Sequence, residues 1–324
     1  MRKFIFDCDP GHDDAIAIIL AAKHLDILGI TTVGGNQTIE KVTTNALKIL
    51  DVIGRSDVPV YMGAEAPWIQ ELEIAPMFHG DSGLDGPELP EPAQAPETIP
   101  AAQFIVDTVM RNEDVSLLAT GPLTNLATAL QLNPKIAARI KEIFIMGGSA
   151  TFGNWTPAAE FNIYVDPEAA YKVFTAGIPL RMSGLNLTRQ SFFTRKEMRN
   201  IKEINNKTAK FVYDLLDFFI GTSMDEANLA GGNLHDVVAA AWAVDPSLVT
   251  ASDLFVEIEL TGKSTRGMTV CDHRHLRGSD PMIDLDHASK NERRGLEPNC
   301  AVGMELDIKR FFTLLYDTLK SYGS

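Results

Sequence analysis

Short apolar runs alternate with helix-length segments along almost the whole of this chain. Runs at 2–7, 27–33, 58–61, 115–119, 142–146, 178–183 and 254–260 read as buried strands. Helical patterns lie near 15–24, 38–53, 101–112, 123–132, 167–176, 207–221, 236–244 and 307–321. Repeated strand–helix alternation predicts a parallel sheet covered on both faces. The expected fold class is therefore α/β, with an open, mostly parallel central sheet flanked by helices. No internal repeat or low-complexity linker divides the chain, so 1–324 is expected to be a single domain.

The first strand runs straight into Asp7, Asp9, Asp13 and Asp14, with Pro10-Gly11 as the turn before a helix. Ligands bind at this carboxyl edge of open α/β sheets. Four carboxylates so close together repel one another, and a hard cation such as Ca²⁺ or Mg²⁺ offsets that repulsion. Helix capping by Asp13 or Asp14 is the plainer alternative, but it accounts for only one or two of the four.

The formal net charge is −14 and the pI about 4.9. Such a surface repels nucleic acid and anionic membranes, but not a neutral small molecule. Three cysteines, Cys8, Cys271 and Cys300, form neither a pairing framework nor a close metal-ligand pair, which suggests a reducing compartment. The N-terminus carries no expected secretion signal, and no apolar run approaches membrane-spanning length. The stretch at about 63–100 is rich in Pro and Gly and contains His79-Gly80; a loop of this length in a compact domain suggests a lid. A second irregular stretch, 272–299, is rich in His, Arg and Asp and receives no role from its composition.

Asp7-Cys8-Asp9-Pro10-Gly11-His12-Asp13-Asp14-Ala15 resembles the signature of the nucleoside hydrolases. Gly35-Asn36-Gln37-Thr38, His79-Gly80, Thr120 to Asn125, Met146-Gly147-Gly148, Ala159 to Asn162 and His235-Asp236 follow in that family's order. The resemblance implies a Rossmann-like sheet with an active-site flap at about 63–100. It implies Ca²⁺-dependent hydrolysis of the N-glycosidic bond of ribonucleosides, purine or pyrimidine, in cytoplasmic salvage. It further implies a homodimer or homotetramer with no nucleic-acid or membrane partner.

By the same resemblance, Asp9 is both metal ligand and general base. Asp14, Asp236 and the Thr120 carbonyl complete the protein's share of the metal shell. An all-oxygen set favours Ca²⁺ over zinc. Asp13, Asn36 and Asn162 fall at positions facing the 2′ and 3′ hydroxyls, and Asn154 and Glu160 near the 5′ hydroxyl. His79 and Met146 join the substrate-binding set. His235 is the leading candidate to protonate the departing base. In the family a His at that place accompanies broad or pyrimidine specificity, and a Trp accompanies purine specificity. Pyrimidine-active members often carry a Tyr on the preceding helix, and none lies between Asp214 and Asp236 here.

Taken by themselves, several of these residues have plainer readings. Thr120 ends a strand, Asp236 could cap the helix after it, and Asn154 suits a turn. Glu160 and Asn162 alternate with Phe161 and Ile163, which puts both on one face of an extended segment. His12 reads as structural or solvent-facing. Phe218, Phe219 and Met224 suit either core packing or contact with a base. Two other functions fit parts of the pattern. Asp7-x-Asp9 after a first strand also suits a Mg²⁺-dependent phosphohydrolase of the haloacid dehalogenase type, but no clear Lys motif accompanies it. A non-catalytic nucleoside-binding protein would have no need of a water-activating metal site.

Overall fold

The computed structural model describes residues 1–227, 231–274 and 297–323, with residues 222–227 described by their backbone alone. Met224 and most of the irregular 272–299 stretch therefore lie outside the described side chains. The first half runs β1 (Lys3–Cys8), α1 (His12–His24), β2 (Asp26–Thr32), α2 (Ile39–Val52), β3 (Val60–Met62), α3 (Pro76–His79), α4 (Ala101–Arg111), β4 (Val115–Ala119), α5 (Thr124–Leu132) and β5 (Ile143–Met146). The second half runs α6 (Phe161–Val165), α7 (Pro167–Phe174), β6 (Leu180–Ser183), α8 (Leu185–Thr188), β7 (Phe192–Thr194), α9 (Arg195–Glu203), α10 (Lys207–Ala227), β8 (Gly231–Asn233), α11 (His235–Val244), β9 (Val249–Ile258), β10 (Thr269–Asp272), β11 (Cys300–Leu306) and α12 (Ile308–Ser321).

Among the described residues, nine strands form one sheet in the order β10-β9-β11-β6-β5-β4-β1-β2-β3. From β11 to β3 every pairing is parallel; β9 alone runs against its neighbours. The expected open, mostly parallel sheet is what forms. β7 and β8 pair as a separate short ribbon.

Period-2 alternation divides β1 between two cores. Phe4, Phe6 and Cys8 face α1, α11 and α12, while Ile5 faces the α4 and α5 side. Helices α1 and α11 pack together beneath the sheet. Both are apolar nearly all round, with Ile16, Ile18 and Ile19 in α1 and Val237, Val238 and Ala239 in α11 fully buried. A helix without a polar face has to be covered on every side. That requirement carries the first turns of both helices to the same carboxyl edge of the sheet.

Chain order places the ligand edge. From β1 the chain steps outward to β2 and β3, then returns to place β4 on the other side of β1. The strand order reverses between β1 and β4, and in open α/β sheets ligands bind at the carboxyl edge beside such a reversal. Among the described residues no helix is long and apolar enough to cross a membrane. All three cysteines are free.

Candidate active site

Asp9 leaves the end of β1 and is fully buried. Its Oδ2 accepts the Asn36 backbone N–H at 2.7 Å, and the Asn36 side chain donates back to the Asp9 carbonyl at 3.1 Å. Two glycines make room for that carboxylate. A Cβ at Gly35 would overlap Oδ2, and one at Gly121 would lie 2.7 Å from Oδ1. The Oδ1 atom is buried and has no hydrogen-bond partner among the described residues.

Asp13, Asp14 and Asp236 bring carboxylate oxygens within 4.8 Å of one another, all buried. Asp13 and Asp14 lie in the first turn of α1 and Asp236 in the first turn of α11. The positive ends of two helices therefore face this negative cluster. Asp14 does act as a cap: its Oδ2 accepts the Gly11 N–H at 3.0 Å, and its Oδ1 accepts the Thr120 hydroxyl at 2.7 Å. Asp236 is not the N-cap of its helix, because Leu234 holds that place. Asp13 stands inside the carboxylate cluster.

The electrostatics of the cluster are unfavourable without a counter-charge. Burial pushes the Asp9 carboxyl well above the usual range, and the charges of Asp14 and Asp13 add to that. Burial also raises Asp236 well above it, with Asp13, Asp14 and Asp9 contributing. Asp13 and Asp14 are raised by burial too. Among the described residues no Lys or Arg forms an ion pair with any of them. A buried, all-oxygen set with one unpartnered carboxylate oxygen fits a hard divalent cation. The Thr120 carbonyl accepts from Asn162 Nδ2 at 2.7 Å and keeps a second lone pair.

The segment expected to be extended around Glu160 is helical instead. Glu160 is the N-cap of α6, with Oε1 accepting from Asn162 N–H at 3.0 Å and Oε2 from Ile163 N–H at 3.2 Å. Oε2 also accepts the Gly148 N–H at 2.9 Å, which ties the helix start to the loop after β5. Three residues of alternation are too few to separate a strand from a capped turn, and the carboxylate that satisfies free helix N–H groups decided it. Burial pushes the Glu160 carboxyl up to about 7 despite those donors. Asn162 Nδ2 bridges the Thr120 and Met146 carbonyls, so it locks the ends of β4 and β5 together. Asn154 is exposed and accepts the Phe161 N–H at 2.9 Å, a structural task in keeping with its plainer reading.

Above the aspartates lies an aromatic stack. His79, at the end of α3, accepts the His12 backbone N–H through Nδ1 at 3.3 Å, and the two Nδ1 atoms lie 3.1 Å apart. His12 Nε2 donates to the Asp85 carbonyl at 2.8 Å, and Phe218 stacks on its ring at 5.3 Å. Phe219 lies 5.9 Å from the His79 ring. His12 is thus buried rather than solvent-facing, and burial lowers its pKa to about 4. The 63–100 segment is fastened down by Gln37 to the Gly80 carbonyl and by Asn45, which donates to both Pro10 and Ser82 carbonyls. Opposite, His235 lies close enough to Asp13 and Arg189 for their charges to act on it in opposite senses, while burial lowers its pKa. Its Nδ1 lies 2.7 Å from the Thr188 hydroxyl. Thr188 is a residue that sequence reading missed, since no local pattern links it to a histidine 47 positions away.

Comparison with known proteins agrees with this geometry. A family model described as inosine-uridine preferring nucleoside hydrolase matches residues 4–313. The pyrimidine-specific ribonucleoside hydrolase RihA of Escherichia coli (strain ATCC 8739) is 44% identical over 323 residues, 98% of each chain. The same-named protein of Shewanella woodyi is 44% identical over 326 residues, 99% of each. Among solved structures, a purine-preferring ribonucleoside hydrolase from Gardnerella vaginalis superposes with a TM-score of 0.88 at 34% identity, covering 99% of both chains. The plant nucleoside hydrolase PpNRh1 gives 0.87 at 33% identity, again over 99% of both chains.

Proposed function

The chain belongs to the inosine-uridine preferring nucleoside hydrolase family and is a ribonucleoside hydrolase, and from that premise we propose that it is a Ca²⁺ enzyme acting preferentially on pyrimidine ribonucleosides. The observation that carries the cation is the buried cluster of Asp13, Asp14 and Asp236 beside the unpartnered Asp9 Oδ1. Asp9, Asp14, Asp236 and the Thr120 carbonyl are the proposed ligands, with Asp13 close enough to serve as well. A bound divalent cation supplies charge that lowers the pKa of the attacking water and offsets the carboxylate repulsion.

The chain's own residues do the rest. Asp9 takes the proton from the water as it attacks the anomeric carbon. The reacting sugar develops oxocarbenium character, and the buried carboxylates nearby favour that positive charge. Asp13, Asn36 and Asn162 grip the 2′ and 3′ hydroxyls, with Met146 beside them. Glu160 and Asn154 lie toward the 5′ hydroxyl, though both already serve α6. His235 and His79 face the base. The 63–100 segment acts as the flap that excludes water. The pyrimidine preference is supported by the two RihA relatives, which are more similar in sequence than the purine-preferring structure.

The phosphohydrolase reading is not favoured, because its nucleophile would be Asp7. That carboxyl is fully buried and bonded to Thr31 and Asn125. A steady-state panel of uridine, cytidine, inosine and guanosine, with Ca²⁺ and after chelation, tests the proposal. The expected result is base release fastest from uridine and cytidine, lost on chelation. Equal or faster release from purines would overturn the preference, and full activity after exhaustive chelation would overturn the cation.

A further inference from the structure

We propose that Thr188 is a positioning residue that fixes the tautomer of His235, so that a neutral ring presents its Nε2–H to the departing base as a hydrogen-bond donor. This rests on the reading that His235 serves the leaving group. The argument comes from accounting for hydrogen bonds. Thr188 is fully buried, and its hydroxyl lies 2.7 Å from His235 Nδ1. Among the described residues that hydroxyl has no other partner. If Nδ1 carried the hydrogen and donated, the threonine O–H would be left buried with no acceptor. If the hydroxyl donates to a bare Nδ1, the one donor left over is the ring's Nε2–H, on a half-buried histidine, and no hydroxyl is stranded in the core. The second arrangement puts the ring hydrogen on Nε2, and among the described residues Nε2 has no partner.

The pair is braced from both sides. Ser191, also fully buried, donates its hydroxyl to the Thr188 carbonyl at 2.6 Å and accepts the Leu234 N–H at 3.0 Å. One serine thus ties the residue carrying the hydroxyl to the residue just before His235. Thr188 ends α8, whose first residue is held by the Gly148 carbonyl in the loop that Glu160 also grips. The clamp is therefore anchored to the ribose side of the site. As the anomeric bond breaks, its electron pair passes to the base. The Nε2–H stabilises that developing charge without leaving the ring, and the freed base takes its proton from solvent. A neutral histidine acting as an electrophile in this way needs one defined tautomer, as a wrong tautomer points a lone pair at the developing charge.

The test compares Thr188→Val, Thr188→Ser and His235→Ala on uridine and on p-nitrophenyl riboside, whose leaving group departs unaided. Thr188→Val should lower kcat on uridine by about tenfold or more with KM little changed, and leave p-nitrophenyl riboside within about threefold, since one well-placed donor is worth roughly 10²–10³. Thr188→Ser should restore the uridine rate. The double variant Thr188→Val/His235→Ala should be no slower than His235→Ala alone. Independently of any variant's folding, ¹⁵N spectra of the histidine-labelled wild type should show Nδ1 of His235 unprotonated and Nε2 protonated. The opposite tautomer, or equal losses on both substrates, would overturn the proposal. A slow His235→Ala beside a fully active Thr188→Val would overturn it while leaving the role of His235 intact. An unimpaired His235→Ala would remove that role, and the proposal with it.

Discussion

Of the four aspartates that open the chain, Asp7 should be dispensable for catalysis and costly for stability. Its Oδ1 accepts the Thr31 hydroxyl at 2.5 Å and the Asn125 amide at 2.8 Å, while its buried Oδ2 has no partner among the described residues. Burial outweighs both hydrogen bonds and raises its pKa from 3.8 to about 7. The folded state therefore holds a proton through a window where the unfolded chain has released it. Stability must fall as pH rises from about 4 to about 7 and then level off. At about 1.4 kcal/mol for each unit of pKa, the full cost is about 4 kcal/mol. Asn at this position stays neutral and keeps the Oδ1 acceptor. Its unpartnered NH₂ replaces the equally unpartnered O–H of the protonated acid, so the two should match at low pH. Asp7→Asn should thus be near neutral in Tm at pH 4, and raise Tm by several degrees at pH 8. Thermal unfolding across that range checks it. Uridine turnover should stay within about threefold of wild type. A Tm difference that does not change with pH, or a variant less stable at pH 8, would refute the reasoning.

The carboxylates of the cluster share that sign of pH dependence but, unlike Asp7, should be needed for turnover. Asp9→Ala should lose about 10⁴-fold or more in turnover, because water activation and proton acceptance fail together; a purified variant keeping a few per cent of the rate would remove Asp9 from that role. Chelation should abolish activity and Ca²⁺ restore it, with elemental analysis giving Ca²⁺ and not zinc. The gain in Tm on adding Ca²⁺ should grow from pH 5 to pH 8: burial raises the folded-state pKa values of Asp9, Asp13, Asp14 and Asp236, so the metal-free cluster loses stability as pH rises. An equal gain at both pH values would contradict the placement of the cation among them. Deoxyuridine should show kcat/KM at least about 10²-fold below uridine, since each buried polar group left unpaired costs roughly 1–3 kcal/mol; comparable values would remove the 2′ hydroxyl from the site.

Local pattern was enough for the strands and helices that build the crevice. β1, β2 and β4 and helices α2, α4 and α5 fall within about two residues of where periodicity put them, because each buries a complete apolar face. The elements not foreseen are short or carry weak local signals. β11 contains Gly303, whose missing Cβ lets Leu187 approach, and so does not read as a continuous apolar run. β7 and β8 have three residues each. α9 did carry a readable start, in that Glu197 accepts from both the Thr194 N–H and its hydroxyl. In the site itself, the first aspartates were legible because they are adjacent in sequence. Asp236 meets Asp13 across 223 positions, and only the order of family motifs brought it in. The Thr188–His235 contact and the two glycines flanking Asp9 are products of packing between distant segments, which no window along the chain contains.

The most direct measurement follows the oxygen. Uridine turned over in H₂¹⁸O with Ca²⁺ present and phosphate absent should yield unlabelled uracil, and ribose carrying one ¹⁸O at the anomeric carbon for each bond cleaved. Label appearing in the base, or no release of uracil until phosphate is added, would contradict attack by water at the ribose carbon.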